Sequence, residues 1–285
     1  MTYARNAPLP DIQKTTDVRG VAIDQVGICD LSFPITVLDR RNEKQHVSAR
    51  ITMSVSLPHH FKGTHMSRFL EILSRHQGEI TMRTIPKILH ELKQRLVAES
   101  ARIEVEFPYY ILRTAPVSGL AAPMEYRSAF IAESNGVTDD FLLRVQVPVT
   151  TLCPCSKEIS DYGAHNQRGY VTLTVRPRKS NGEWNLIWIE ELVGVAENSA
   201  SAPVYPILKR PDERHVTMQA YDNPVFVEDV VRNAAGFLKD DVRIAWFNIR
   251  AVNHESIHNH SAFAEIETPR NKNYENVSRN RISPK

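Results

Sequence analysis

The sequence predicts an α+β fold built on antiparallel strands. Along its 285 residues the order strand, strand, helix, helix, strand, strand can be read twice, and consecutive strands are joined by hairpin signals such as Asn135-Gly136. Each half thus reads as a ββααββ module, the first over 27–136 and the second over 137–268. They lie between an N-terminal extension (1–26) and a basic C-terminal tail (269–285).

In the first half, 27–38 and 46–57 are rich in β-branched residues, and Val47, Ala49, Ile51, Met53, Val55 and Leu57 alternate at the strand period. Residues 66–76 and 82–100 read as helices, because Ile85, Ile88, Leu89, Leu92 and Leu96 recur at helical spacing. Strands follow at 101–114, where Ile103, Val105 and Phe107 alternate, and at 124–134. In the second half, strands are predicted at 139–149, 168–177, 242–252 and 261–267, with helices at 184–198 and 224–238. Asn223 is a suitable cap and Pro224 a suitable first residue for the last helix, whose stripe is Val227, Val230, Val231, Ala234 and Leu238. A sheet of this kind has edges that must be covered, and closing several copies into a barrel covers them, so an oligomer is expected.

The 35 Lys and Arg nearly cancel the 33 Asp and Glu, so no overall field points to nucleic acid or a membrane surface as partner. No run of about 18 apolar residues is present, and the stretch MTYARNAPLPDIQKTTD lacks the apolar core of a secretory signal. Cys29, Cys153 and Cys155 are too few for a disulfide framework, and Cys153 and Cys155 are too close to be bridged without strain. A soluble, cytoplasmic protein is expected. The tail PRNKNYENVSRNRISPK has almost nothing apolar to bury and is expected to be disordered.

Four stretches concentrate chemistry. In TTLCPCSKEISDYGAHNQRG (150–169), Cys153 and His165 flank turn-forming, polar residues, so a thiol and an imidazole can face one cleft, either as metal ligands or as nucleophile and base. In NHESIHNHSAF, His254, His258 and His260 cluster just before the last strand. In ILKRPDERHVT, Arg210, Pro211 and Asp212 predict a tight turn presenting Glu213; downstream, Glu228 is expected partly buried about one turn into its helix. In FKGTHMSRF, Lys62, His65 and Arg68 surround Gly63 at a helix start, a setting that suits phosphate.

Taken in order, these stretches, with NPVFVEDVVR, resemble the GTP cyclohydrolase type IB family from about Pro10 to Thr268, most specifically in Cys-Pro-Cys-Ser-Lys-Glu-Ile. The resemblance implies a tunnelling fold of two ββααββ modules, assembled as a barrel-like homotetramer with sites at its interfaces. It implies a hydrolase acting on cyclic amidine C–N bonds, converting GTP to formate and 7,8-dihydroneopterin triphosphate on the way to tetrahydrofolate. Carried over, the ligands of a divalent ion (Mn²⁺, Zn²⁺ or Fe²⁺) would be Cys153, Glu213 and His258, with His165 in or beside the coordination sphere and moving protons. A water held by that ion would attack guanine C8. Glu228 would anchor the guanine, and Lys62, His65, Arg68, Lys209 and Arg210 would contact the triphosphate. Of the clustered histidines one would touch the ion and the others, among His254 and His260, would support it from behind, and no role is assigned to Cys155. The rivals are a tunnelling-fold nitrile reductase with a covalent cysteine and a noncatalytic zinc-stabilised assembly protein.

Overall fold

In the computed structural model, which describes residues 11–76 and 78–268, every long strand belongs to one antiparallel sheet. The chain opens with β1 (Ile23–Asp39) and β2 (Glu43–Leu57), leaves the sheet for α1 (Ser67–Arg75) and α2 (Ile85–Leu96), and returns as β3 (Ala101–Thr114) and β4 (Ala121–Ser134). It continues through β5 (Asp139–Leu152), the short α3 (Pro154–Ile159) and β6 (Asn166–Pro177), then a two-residue ribbon, β7 (Lys179–Ser180) and β8 (Glu183–Trp184). A second helical excursion follows: α4 (Ile189–Ser199), the short strand β9 (Ala202–Pro203), α5 (Arg210–Asp222) and α6 (Val227–Lys239). The described chain ends on β10 (Ile244–His254) and β11 (Ser261–Glu267).

The long strands sit in the sheet in chain order, β1-β2-β3-β4-β5-β6-β10-β11, with β9 paired to β5. Both helical excursions therefore return the chain beside the strand it left, β3 against β2 and β10 against β6. Alternation decides which face each strand residue takes. On β3, Ile103, Val105, Phe107 and Tyr109 are buried, while Arg102, Glu104 and Glu106 face the other way. There Arg144 of β5 donates to Glu104 at 2.9 Å and to Glu106 at 3.0 Å.

The inward residues join the helix stripes in one continuous core, Phe69, Ile72, Leu73, Ile88, Leu89 and Leu92 from the first excursion and Leu192, Val193, Ala196, Val230 and Ala234 from the second. Burying each large apolar side chain contributes about 1.5–3 kcal/mol, so packing holds these short helices more than propensity does. One ion pair lies inside: Arg176 donates through Nε and Nη2 to Asp140 at 2.6 and 2.8 Å, with both residues buried. Such a pair adds little net stability, because the cost of desolvating both charges offsets their attraction.

The predicted strands and core helices are found with their ends moved by a few residues, and β1 takes in four residues, 23–26, assigned to the N-terminal extension. Three predictions are corrected. Arg210-Pro211-Asp212 is no tight turn but the first turn of α5, where Pro211 suits the helix start and the Asp212 carboxylate accepts from Lys209 N at 2.8 Å. Asn223 does not cap the last helix. It ends α5 and donates through its side chain to Ala200 O at 2.9 Å, while α6 starts at Val227 and Asp229 accepts from Phe226 N at 3.1 Å. The helix placed at 184–198 begins only at Ile189, because Trp184 pairs in the β7-β8 ribbon. The expected disordered tail lies outside the described residues. Among the described residues, no helix is long and apolar enough to cross a membrane.

Candidate functional site

The site grows from the hairpin between β5 and β6. Their pairing runs Val149↔Gly169, Thr150↔Arg168, Thr151↔Gln167, Leu152↔Asn166, and beyond it the chain opens into α3 and a loop. Gly169 is needed for close approach: a Cβ there would lie 2.7 Å from Asn253 Oδ1 of β10 and 3.2 Å from Val149 Cγ2 of β5. The three strands thus close tightly just below the loop.

Cys153 caps α3. Its thiol accepts from Ser156 N at 3.4 Å, and its own N donates to His165 O at 3.1 Å. Ser156 completes the clasp, donating its hydroxyl to Cys153 O at 3.1 Å and accepting from His165 N at 3.2 Å. Cys153 and His165, twelve positions apart, are therefore held together by backbone hydrogen bonds, and both are half-buried. Ser156 lies inside the motif, yet nothing in its residue type or spacing marks it, because its role depends on the fold of the loop.

Other elements converge on this loop. Ser256, from the histidine-bearing segment after β10, places its hydroxyl 3.3 Å from His165 Nδ1. In that segment His258 and His260 stack at 5.1 Å and are exposed, while His254 meets the Tyr170 ring edge at 5.6 Å. Val225 N donates to Leu152 O at 3.1 Å, so the link between α5 and α6 is fastened one residue before Cys153. Glu228 follows in the first turn of α6. It is exposed, not partly buried as expected, because Val227 and Val230 turn inward and leave it on the outer side. Lys157 ties α3 to α5, its ammonium donating to Tyr221 O at 2.6 Å and lying 4.2 Å from the Tyr221 ring centre.

Glu213 is exposed in the first turn of α5, flanked by the exposed Lys209 and Arg210. What fixes that turn is Asp212, fully buried, which also accepts from Val117 N and Ser118 N at 2.8 Å each. Burial pushes its carboxyl up, but the hydrogen bonds from Ser118, Lys209 and Val117 outweigh this and hold it well below the usual carboxylate range. Asp212 thus joins the tip of the β3-β4 hairpin to the helix that carries Glu213.

The remaining candidates sit in the first half, where His65 and Arg68 have partners. His65 Nε2 lies 3.1 Å from Asp11, Arg68 donates to Arg95 O at 2.8 Å near the end of α2, and Lys62 is exposed. Cys155 and Cys29 are exposed free thiols. Among the described residues, no three His, Cys, Asp or Glu side chains are gathered closely enough to hold a metal ion, so one chain brings Cys153 to His165 but does not converge Glu213 and His258 upon them. The donors present still suit a divalent ion: a thiol held by one weak hydrogen bond and an imidazole anchored through Nδ1, with Nε2 as its other donor.

Comparison with known proteins identifies the family. The family described as Type I GTP cyclohydrolase folE2 matches residues 9–264. Proteins named GTP cyclohydrolase FolE2 are similar throughout: that of Nitrosococcus oceani is 50% identical over 260 residues (91% of this chain, 95% of the relative), and that of Magnetococcus marinus 52% identical over 260 residues (91% and 96%). Among solved structures, a uricase from Arthrobacter globiformis superposes with TM-score 0.54 at 7% identity (87% of this chain, 93% of that one), and a urate oxidase from Bacillus sp. TB-90 with 0.52 at 9% (87% and 100%). At such identity these show the fold alone, and they support the tunnelling fold. The matched family is the one the motifs resemble, and the chain belongs to the type I GTP cyclohydrolase FolE2 family.

Proposed function

We propose that this protein is a GTP cyclohydrolase that releases formate from GTP and yields 7,8-dihydroneopterin triphosphate for tetrahydrofolate synthesis. The observation that carries the reading is the clasp of Cys153 and His165 by Ser156, in a chain about half identical to GTP cyclohydrolases over nine-tenths of its length. The same matches give no support to a nitrile reductase or an assembly protein.

In this reading Cys153, Glu213 and His258 hold a divalent ion, Mn²⁺, Zn²⁺ or Fe²⁺, with His165 in or beside its coordination sphere. When bound, such an ion supplies Lewis acidity and a water ionised near neutral pH. Glu228 accepts hydrogen bonds from the ring N–H and amino group of guanine, which its exposed position permits. Lys209 and Arg210 face the triphosphate beside Glu213, joined by Lys62, His65 and Arg68. His165 moves protons as the imidazole ring of guanine opens, since an imidazole nitrogen can both take up and give back a proton. The two ββααββ modules assemble as a homotetramer, and neighbouring copies complete the donor set. The protein works in the cytoplasm.

The test is direct. Purified protein supplied with GTP and each ion in turn should release formate and form a product that oxidises to a fluorescent pterin. No formate with any of the three ions overturns the reading.

A further inference from the structure

The geometry points to Gln167 as the residue that sets which nitrogen of His165 faces the reaction. His165 Nδ1 lies 2.9 Å from Gln167 Oε1, and Gln167 Nε2 donates to Thr151 Oγ1 at 3.0 Å. Thr151 and Gln167 are directly paired across β5 and β6, so both side chains take the same face of the sheet. Gln167 is 8% exposed and Thr151 0%, so the amide that meets His165 is held inside the sheet and not at the surface.

An amide oxygen can only accept, so the nitrogen facing it must carry the proton. With the amide in this orientation, His165 is protonated on Nδ1 and presents an unprotonated Nε2. Ser256 Oγ, 3.3 Å from the same Nδ1, is compatible because a hydroxyl also accepts. A free imidazole in water carries its proton mostly on Nε2, so the protein has to impose this tautomer, and the partner of the other nitrogen is what imposes it. An unprotonated Nε2 is what either role of His165 requires, as a donor to a cation or as a proton acceptor. Gln167 is a positioning residue: it touches neither GTP nor cation and acts through His165.

This rests on the functional reading above for what Nε2 is used for, but not for the tautomer itself. The full-length, metal-free protein labelled with ¹⁵N-histidine can be read by long-range ¹H–¹⁵N correlation at about pH 8, where imidazole is neutral. The His165→Asn variant identifies the signal. In the unsubstituted protein the proton should lie on Nδ1; in Gln167→Leu it should move to Nε2. Binding of Zn²⁺ or Mn²⁺, measured by chelator competition, should weaken about 10- to 100-fold in Gln167→Leu, as is usual when a ligand's supporting partner is removed. The KM for GTP at saturating metal should stay unchanged while kcat falls. Because Gln167→Leu leaves the buried Thr151 hydroxyl alone, the Thr151→Val/Gln167→Leu double variant serves as the folded control and should show the same tautomer and the same weakened binding. A proton on Nε2 in the unsubstituted protein, or unchanged tautomer and metal affinity in both variants, overturns the inference. Formate release by the unsubstituted protein separates the two ideas: its absence removes the cyclohydrolase reading and leaves the tautomer result standing, whereas turnover with a proton on Nε2 removes this inference alone.

Discussion

The two halves of the sheet follow the same course, two strands out, a helical excursion, two strands back, yet they treat their polar side chains differently. In the first excursion these side chains bond within the excursion itself: Arg68 donates to the backbone carbonyl of Arg95, Arg95 pairs with Glu71 at 2.7 Å, and Glu91 meets Arg75 at 3.1 Å and His76 at 3.2 Å. Besides the β7-β8 ribbon and β9, the second half adds two helices that the first lacks, α3 inside a hairpin and α5 between its helices. On or beside these lie the exposed Glu213, Lys209, Arg210 and Glu228 and the half-buried Cys153. The lesson is that a shared skeleton gains chemistry where extra elements hold polar groups out of the core.

The comparison can be broken most severely at α3. Cys153→Ala should lower turnover by on the order of 10³-fold, equivalent to about 4 kcal/mol of transition-state stabilisation, and should reduce retained metal. Formate release and elemental analysis check this, and surviving activity would show that Cys153 is no ligand. At α6, Glu228→Gln should raise KM for GTP roughly 10- to 100-fold, the worth of a hydrogen bond to a charged acceptor, without changing metal content. Metal loss in that variant would make Glu228 a ligand instead.

Below these come effects on the scaffold. Gly169→Ala should destabilise by about 1–3 kcal/mol because its methyl group meets Asn253 and Val149, whereas Gly194→Ala, in α4 with nothing within 4 Å, should stabilise by about 0.5–1 kcal/mol. Thermal melts distinguish the two. Asp212→Asn tests the joint between the halves. A carboxyl held below its ordinary value of 3.8 stabilises the fold above that pH, and the contribution is lost as pH falls through the depressed value. The variant should melt lower at neutral pH and lose less than the parent on acidification below about pH 4. The smallest effect should come from the first half: Arg68→Ala should change kcat by less than about threefold, since its hydrogen bond is worth only about 1 kcal/mol and supports α2. KM for GTP should rise about fivefold, the worth of one exposed contact to the triphosphate, and an unchanged KM would take Arg68 away from it.

How far the sequence could be read follows from locality. Strand alternation and helix stripes are patterns within a dozen residues, so β2, β3, α2 and α6 are legible directly. Helix α5 is not, because only Asp212 and Ala220 of its residues are buried and no apolar stripe betrays it. Its first turn is held by a carboxylate that also grips Val117 and Ser118, some 95 residues earlier. Helix α3 is only six residues long, too short for periodicity to show. Cys153 and His165 were visible as residue types in a polar loop. Gln167 and Thr151 were not, since their partnership requires the register of β5 on β6. Had the hairpin been paired outward from Leu152 and Asn166, Thr151 would have fallen opposite Gln167.

The chain-order sheet also bears on how the polypeptide is made. As the chain leaves the ribosome, each of β2 to β6 finds the strand it needs already present, so pairing can advance from the N-terminus without waiting. The exception is the open edge of β6, whose partner β10 begins at Ile244 and cannot arrive until residues 178–243 have been synthesised. During that interval an unpaired strand next to the Cys153 loop is available to other nascent chains, and synthesis speed across this stretch would govern how much of the protein escapes aggregation.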